Sequence, residues 1–401
     1  MVMTVPAWIA AACCGIGLAQ ALVAARLVTR FARRPRGEPA SRPPVTILKP
    51  LHGDEPLLEQ ALATACRQDY PRWQVVFGVQ DAGDPAAAVV ERLRTRFPDC
   101  DIALVIDPAL HGENRKVGNL INMLPAARHD VLVIADSDVH VRPDYLDRLM
   151  AALEQPGVGL VTTIYAGLPS SRRLPALLGA TQITHGFLPG AVLARALGRQ
   201  DSLGATMCLR RQDLARCGGF RALVDHLADD AVLGHRVAAL GQTVALAGTV
   251  PLTTVPEDTM RALFRHELRW ARTIRALEPG GFAASVLQYP LAWALLAVAL
   301  AGGAAWAVGV FALAWIIRAV AASMIDRALA PQWNGEAPAV PAFRCPAWLL
   351  PARDLLSVAV MLASYGGRRV DWRGYGLLAD TPQPPGAADV TFRSIEEFNA
   401  Q

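Results

Sequence analysis

Two long segments without a charged side chain most constrain what this chain can fold into. Residues 1–25 and 279–317 contain no Asp, Glu, Lys or Arg. A helix of about 20 apolar residues is enough to cross a bilayer core of roughly 30 Å. Hydrophobic residues make up 53% of the 401-residue chain, which is high for a purely soluble protein. The sequence therefore predicts membrane helices on both sides of a soluble domain.

Arginines follow the first apolar segment instead of preceding it, starting at Arg26. This order is typical of an uncleaved anchor, here residues 1–30, and not of a cleaved signal peptide. By the positive-inside rule, the N-terminus lies outside and the chain after Arg26 lies in the cytoplasm.

The second apolar block predicts two transmembrane helices within 279–325, divided by a tight turn at 301–303. A third segment, 346–367, carries Arg353 and Asp354. Adjacent charges at membrane depth are costly, so this segment is either a re-entrant or interfacial helix or a span whose charges face other helices. The expected number of spans is three or four.

Short β-branched runs alternate with helix-compatible stretches in the part between the apolar blocks, residues 42–278. This alternation predicts an α/β domain with a mostly parallel sheet and helices on both faces. Ligands of such sheets bind at the carboxyl ends of the strands. A polar tail is expected at 380–401.

Asp136 and Asp138 follow the fourth predicted strand, in "VLVIADSDV". Strand side chains repeat every two residues, so both carboxylates lie on one face and would repel each other without a positive charge between them. A hard divalent cation, Mg²⁺ or Mn²⁺, would supply that charge and take its other ligands from water and phosphate oxygens. A solvated turn is the simpler explanation for such a motif standing alone.

Further polar groups follow the neighbouring strands. Asp81 ends the second strand, and Asp84 begins a proline-led helix as an N-cap. We interpret Asp84 as structural and Asp81 as facing the ligand. Lys116 and Asn119 follow the third strand, where they form either a substrate-binding group or an ordinary polar helix start.

Two acids and an arginine-rich helix come later in the chain. Asp229 and Asp230 precede a helical stretch, and N-capping requires only one of them. Arg265, Arg269 and Arg272 share a helix face, which suits either lipid headgroups or a pyrophosphate. Together these groups suit transfer from a nucleotide diphosphate to a lipid.

Composition excludes several other classes. The net charge is +4 and no aromatic-interleaved basic stripe is present, so no nucleic-acid partner is expected. The seven cysteines form no CxxC pair or zinc spacing and are interpreted as reduced thiols. Residues 174–198 are apolar enough to lie in the membrane interface or to form an ordinary core helix.

An ordered set of motifs resembles the ceramide glucosyltransferase family of membrane-bound GT-A glycosyltransferases (families 21 and 2). The motifs are "VTILKPLHGDEP", "VQDAGDPA", "NRKVGNLINM", "ADSD", "ATMCLRRQDL", "ADDAVLG" and "RHELRW". Within that family, "HGENRKVGNLINM" and "LADD…HRVAALG" are most similar to the bacterial hopanoid-biosynthesis-associated branch. The resemblance extends from Val45 through the membrane helices.

The resemblance implies a role for each matching residue. Asp81 would contact the nucleotide base, and Asp136 and Asp138 would bind the metal and the diphosphate. Asp230 would be the general base. Arg269 and Trp270 would end a (Q/R)xxRW motif that holds the diphosphate near the acceptor. Its first position here is His266, which could add pH dependence near neutrality.

The implied function is inverting transfer of a sugar, on the cytoplasmic side of the bacterial inner membrane. The expected reaction moves N-acetylglucosamine from UDP-N-acetylglucosamine to bacteriohopanetetrol. The alternative is transfer of glucose from UDP-glucose to ceramide. A non-catalytic nucleotide- or lipid-binding protein is a second alternative, and a processive polysaccharide synthase would need more membrane helices.

Overall fold

The computed structural model describes residues 5–34, 37–333, 343–367, 369–372 and 375–378. The polar tail expected at 380–401 lies outside the described residues. The helices are α1 Val5–Ala32, α2 Leu58–Ala65, α3 Pro85–Arg96, α4 Arg115–Met123, α5 Tyr145–Leu153, α6 Leu174–Gln182, α7 Leu188–Ala196, α8 Arg211–Arg216, α9 Asp229–Ala239, α10 Met260–Leu277, α11 Pro279–Ala284, α12 Pro290–Leu300, α13 Ala305–Trp333 and α14 Leu349–Ser364.

Twelve strands accompany these helices in the described part of the chain. They are β1 Val45–Pro50, β2 Trp73–Val79, β3 Asp101–Ile106, β4 Val131–Ala135, β5 Val139–His140, β6 Val158–Thr162, β7 Ala166–Pro169, β8 Thr206–Arg210, β9 Thr243–Leu246, β10 Leu252–Val255, β11 Arg369–Trp372 and β12 Tyr375–Leu378.

A seven-stranded sheet forms the centre of the domain, in the order β3-β2-β1-β4-β8-β6-β9. The β-branched runs seen in the sequence are its strands β1, β2, β3, β4 and β6, and pairing is parallel from β3 to β4. Hydrophobic cores cover both faces, since the side chains of β1, for example, divide between two clusters. The predicted parallel sheet covered by helices on both sides is confirmed.

Strand β8 is the exception, because it runs antiparallel between β4 and β6. Its pairing joins Ala135, the last residue of β4, to Thr206, the first residue of β8. The loop before β8 therefore lies beside the loop after β4. A smaller sheet, β5-β10-β7, continues from that same loop.

Within the part of the chain that the structure describes, two helices, α1 and α13, are long and apolar enough to cross a membrane. α11 and α12, with a 3₁₀ turn between them, form a pair bent by 66° that counts either as one broken span or as a re-entrant loop. The predicted turn at 301–303 separates α12 from α13, and Gly302 and Gly303 have positive φ there.

The helices α1 and α13 run in the same direction. Trp8 and Trp306, each near the start of its helix, stack with ring centroids 4.4 Å apart. At the other ends, Val28 of α1 and Ile325 of α13 share one apolar cluster with Leu168 of β7 and Leu252 of β10. Both helices therefore end against the α/β domain.

The charges within the third apolar segment do not pair with each other. Arg353 binds Glu267 of α10, and Asp354 accepts a hydrogen bond from the backbone N–H of Leu291 at the start of α12, at 3.0 Å. Both side chains are buried. They face other helices, and whether this segment spans the membrane or is re-entrant or interfacial stays a prediction.

The apolar segment 174–198 folds into α6 and α7, joined by the π-helical turn Ile183–Phe187. Leu188 and Val192 of α7 pack against α1, in the cluster that also contains β7 and β10. Residues of this segment are thus part of the protein core, between the α/β domain and the membrane helices.

Candidate active site

The loop after β4 carries Asp136 and Asp138, and the side chain of Lys49 in β1 binds the backbone of this loop. The Lys49 side chain is fully buried, and its Nζ donates to the carbonyl oxygens of Asp136, at 2.6 Å, and Val139, at 3.3 Å. Burial lowers the pKa of Lys49 to about 8. The Asp138 carboxylate accepts a hydrogen bond from the Thr253 hydroxyl of β10. Burial, and next the charge of Asp136, raise the pKa of Asp138 to about 6.

Lys116 supplies positive charge to this group of acids. Its Nζ lies 2.8 Å from Asp136 Oδ1 and 3.6 Å from Asp229 Oδ2. Burial alone would lower the pKa of Lys116, but the carboxylates of Asp136 and Asp229 raise it well above its ordinary value. Asn114 caps α4 by accepting from the Val117 N–H, and it also donates to the carbonyl of His226. The start of α4 is thereby tied to the segment that leads into α9.

Asp230 joins the group through the antiparallel strand β8. A Cβ atom placed on Gly204, in the loop before β8, would lie 3.0 Å from Asp230 Oδ2. The next residue, Ala205, accepts a hydrogen bond from the Asp136 N–H, at 3.4 Å. Burial, and next the charge of Asp229, raise the pKa of Asp230 to about 6. This carboxylate is therefore a stronger base than an ordinary aspartate.

Neither aspartate of the pair 229–230 is the N-cap that the sequence suggested. Ala228 occupies the cap position, and both acids lie in the first turn of α9. Their charges are favourable at the positive end of the helix dipole. Because neither one bonds as a cap, Asp229 can lie 3.6 Å from Lys116, and Asp230 can lie against the loop before β8.

Tyr165, which sequence reasoning missed, lies close enough to the acids to respond to their charges. Burial, and then the charges of Asp230, Asp136 and Asp138, raise the pKa of its phenol far above the ordinary value. One side chain thus lies within electrostatic reach of all three predicted acids. Its ring packs against Phe187 of the π-helical turn, with centroids 4.8 Å apart.

The acids fit a hard divalent cation. Carboxylate oxygens are what Mg²⁺ and Mn²⁺ prefer, and the Asp136 side chain is 36% exposed. Among the described residues no group of three or more His, Cys, Asp or Glu side chains is arranged so that it could hold a metal ion. Asp136 and Asp138 would therefore supply part of a coordination shell and leave the rest to water and phosphate oxygens.

Helix α10 presents the predicted motif His266–Trp270. The His266 Nδ1 bonds the carboxylate of Glu257, and its ring lies edge-on to Trp270 with centroids 4.7 Å apart. The His266 Nε2 is buried without a hydrogen-bond partner among the described residues. Burial alone would raise the pKa of Glu257. The bond to His266 and then the charge of Arg269 outweigh burial and lower this pKa.

Trp270 connects this helix to the acids. It packs in an apolar cluster with Tyr165, Phe187 and Val255. Since Tyr165 also lies within reach of the three carboxylates, the cluster brings α10 to the same side of the domain as the sheet edge. The structure therefore brings together Lys116, Asp136, Asp138 and Asp230, with Trp270 connected to them through Tyr165.

Two predicted residues have local partners instead. The Asp81 side chain is exposed after β2 and accepts from the Gly83 N–H, at 2.9 Å. The Asn119 side chain is buried and donates to the carbonyl of Gly78 in β2, at 2.7 Å. That bond attaches α4 to β2, and substrate binding by Asn119 and Asp81 stays a prediction.

Sequence reasoning missed Lys49, Glu257 and Tyr165, and these residues differ in whether a sequence signal could have identified them. Lys49 interrupts an otherwise buried apolar strand, and a charge there signals a buried partner. Glu257 and Tyr165 had no such signal, because each stands alone in its stretch of sequence. Only the tertiary structure places them beside His266 and the aspartates.

The chain is similar to several curated glycosyltransferases. Ceramide glucosyltransferase 1 from Caenorhabditis elegans is 25% identical over 241 residues, covering 59% of this chain and 51% of that protein. An N-acetylglucosaminyltransferase from Rhizobium leguminosarum bv. viciae is 24% identical over 246 residues, covering 58% of this chain and 55% of that protein. The chain spans about half the length, or less, of the first curated relatives it matches.

A mannosyltransferase from Pyrobaculum calidifontis, solved with GDP-Man and Mn²⁺, has the same architecture. Its TM-score is 0.52 at 21% identity, covering 90% of this chain and 99% of that one. At this identity the likeness shows the fold, and it confirms the expected GT-A-like fold with a mostly parallel sheet.

The family model described as Glycosyl transferase family 21 matches residues 9–381. Because this match covers nearly the whole chain, the protein belongs to Glycosyl transferase family 21.

Proposed function

We propose that the protein transfers a sugar from a nucleoside-diphosphate sugar to a hydroxyl group of a membrane lipid, with inversion at the anomeric carbon. The observation that carries this proposal is the placement of Asp230. It is a carboxylate with a raised pKa that lies against Gly204, next to the residue that accepts a hydrogen bond from Asp136, and the charge of Lys116 partly offsets that rise. Membership of Glycosyl transferase family 21 supports the reaction class.

In the proposed reaction Asp230 takes the proton of the acceptor hydroxyl as its oxygen attacks the anomeric carbon. The bond from that carbon to the diphosphate oxygen breaks, and the nucleoside diphosphate leaves with the electron pair. Asp136 and Asp138 would hold a divalent cation, which when bound offsets charge on the diphosphate. Arg269, with His266 beside it, would bind the diphosphate from the side of α10.

A ceramide-type lipid is the acceptor best supported by the relatives. The C. elegans relative is a ceramide glucosyltransferase, and this supports a sphingoid acceptor with UDP-glucose as donor. Since the chain spans only about half of that protein, substrate identity rests on this proposal and not on the match.

A second candidate is the one expected first from the motifs, bacteriohopanetetrol with UDP-N-acetylglucosamine. The Rhizobium relative, an N-acetylglucosaminyltransferase, supports that sugar. The hopanoid acceptor rests on motif resemblance alone.

The proposed location is the bacterial inner membrane, with the α/β domain in the cytoplasm. Two apolar helices, α1 and α13, support membrane association. Both end against the α/β domain, and this supports a position of that domain close to the membrane surface on the side to which they lead.

The decisive experiment identifies the product lipid. Purified full-length protein is incubated with Mg²⁺ or Mn²⁺, with UDP-glucose or UDP-N-acetylglucosamine, and with either ceramide or bacteriohopanetetrol. Product mass then shows which pair reacts. Binding of a UDP-sugar without transfer in any pair would support a non-catalytic nucleotide-binding protein and contradict the proposal.

Asp230→Asn tests the mechanism in the same assay. Loss of the base is expected to lower transfer by about 10²- to 10⁴-fold while UDP binding stays within about twofold. Asp147→Asn, an acid on α5 that pairs with Arg42, is the matched control and should transfer normally. Normal transfer by Asp230→Asn would show that another group is the base.

A further inference from the structure

The C-terminal helix α14 contacts the motif helix α10 through a buried pair of charges. The two terminal guanidinium nitrogens of Arg353, Nη1 and Nη2, each lie 2.7 Å from one oxygen of the Glu267 carboxylate. Arg353 is 2% exposed and Glu267 is 8% exposed. Two parallel hydrogen bonds of this kind fix both distance and angle between the groups they join.

Arg353 has further hydrogen-bond partners besides Glu267. Its Nε donates to Ser357 Oγ, at 3.2 Å, and its Nη1 also donates to the carbonyl of Leu178 in α6, at 3.3 Å. Ser357 Oγ in turn donates to Gln182 Oε1, at 3.1 Å. The guanidinium therefore joins three helices, α6, α10 and α14, at one point.

Glu267 lies inside the motif that is expected to bind the diphosphate. It follows His266 directly and precedes Arg269 by two residues. Since each residue turns a helix by about 100°, a fixed carboxylate at this position fixes the rotation of the whole motif.

Stability alone does not account for the pair. Apolar side chains of similar volume would hold α10 against α14 as well or better, because a buried ion pair must overcome the desolvation of both charges. Apolar contacts would, however, allow α10 to turn or slide. The bidentate pair removes that freedom.

We propose that Arg353 is a positioning residue, which sets the rotation of α10 through Glu267 and so directs Arg269 toward the diphosphate of the donor. This inference rests on the proposed function. It adds to it that the donor site depends on a residue of the C-terminal helix, remote in sequence from every motif of the α/β domain.

The test uses the full-length protein in detergent or nanodiscs and measures UDP affinity, kcat and the KM of each substrate. Arg353→Lys keeps the charge but cannot form both hydrogen bonds. We expect about a tenfold rise in the donor KM and the UDP Kd, with the acceptor KM within about twofold, because a small displacement of a binding group weakens the contacts it makes.

Asp354→Asn is the matched control. It alters the next buried residue of the same helix, which bonds α12 and not α10, and its amide oxygen can still accept from Leu291. Its donor KM should equal that of the unaltered protein. A donor KM raised equally in both variants would show a general effect of α14 packing and overturn the inference.

The double variant Glu267→Leu with Arg353→Met decides the matter if Arg353→Lys does not fold. It removes both charges, so no buried charge is left unpaired. A raised donor KM in the folded double variant supports positioning, and a normal one overturns it. If the unaltered protein transfers no sugar, the proposed function fails; if it transfers and these variants match it, only this inference fails.

Discussion

Two adjacent aspartates of α9 have different surroundings, and the difference assigns their roles. Asp229 is buried and lies 3.6 Å from the ammonium of Lys116. Asp230 is partly exposed and receives a hydrogen bond from the Ala231 N–H, at 2.8 Å. Asp229 thus balances a cation, and its charge helps to raise the pKa of its neighbour. This difference supports the proposal that Asp230, and not Asp229, is the base.

This arrangement predicts the acid side of the pH–rate profile. Asp230 acts as a base only when ionised, and its pKa is raised to about 6, so kcat/KM should fall as the pH falls through about 6. Asp229→Asn removes a negative charge that raises this pKa. The midpoint of the fall should therefore move to lower pH, as measured with the best donor and acceptor between pH 4.5 and 8. A midpoint that moves upward would contradict the assignment.

Gly204 gives a second prediction at the residue scale. A methyl group here would lie 3.0 Å from the Asp230 carboxylate, closer than ordinary van der Waals contact. Gly204→Ala should displace the base by a few tenths of an ångström and lower kcat by about three- to tenfold. Gly248→Ala is the control, since a Cβ there has no neighbour within 4 Å. Equal kcat for both variants would show that Asp230 does not need this close packing.

At the scale of elements, the loop after β2 carries two acids with different expected roles. Asp84 is structural, and Asp81 is predicted to bind the nucleotide. Asp84 caps α3 by accepting from the Ala86 N–H, as the sequence predicted, and also accepts from the Gly53 N–H. Asp84→Ala should lower the free energy of unfolding by about 1–2 kcal/mol. Asp81 is exposed and lies three residues earlier in the same turn. Asp81→Ala should change the free energy of unfolding by less than about 0.5 kcal/mol and weaken UDP binding.

Thermal unfolding and UDP titration of the two variants check this division. Equal loss of stability in both would mean that Asp81 is structural as well. Unchanged UDP binding by a stable Asp81→Ala variant would remove Asp81 from the predicted nucleotide site.

Local pattern was enough to predict the strands β1 to β4 and the cap at Asp84, because periodicity and cap chemistry are short-range. It also predicted the acids at the end of β4. It could not predict that β8 runs antiparallel beside β4, because strand direction depends on connections across about 70 residues. For the same reason Gly204 and Tyr165 stayed invisible as parts of the site.

The helix α14 shows the same limit. Its sequence raised the question of why Arg353 and Asp354 stand in an apolar helix, and two answers remained open. Their partners, Glu267 and the Leu291 backbone, come from other helices. No periodicity within α14 itself contains that information.

At the scale of the whole molecule, the helix directions limit the membrane topology. Trp8 and Trp306 stack, so we expect the starts of α1 and α13 to lie at one membrane face, where tryptophan is favoured. α14 bonds α10 and is expected toward the other face. We therefore predict that the turn at 301–303 lies outside and that the bent segment 279–300 crosses the bilayer, which would give three spans.

Cysteine labelling checks this topology. Asp99→Cys, exposed in the α/β domain, should react with a membrane-impermeant maleimide only after spheroplasts are lysed. Ala305→Cys, exposed at the start of α13, should react in intact spheroplasts, in each case above the background of the native cysteines. Labelling of Asp99→Cys in intact spheroplasts would place the catalytic domain outside.

The position of β8 also determines the order in which the sheet can be completed during synthesis. β4 and β6 leave the ribosome first, but neither has its partner on the shared side until Thr206–Arg210 has been made. Until then both strands present open, apolar edges of the kind that promote aggregation. Because β9, the other neighbour of β6, is made later still, β6 has no strand partner before β8 exists, and until then the sheet can consist only of β3, β2, β1 and β4.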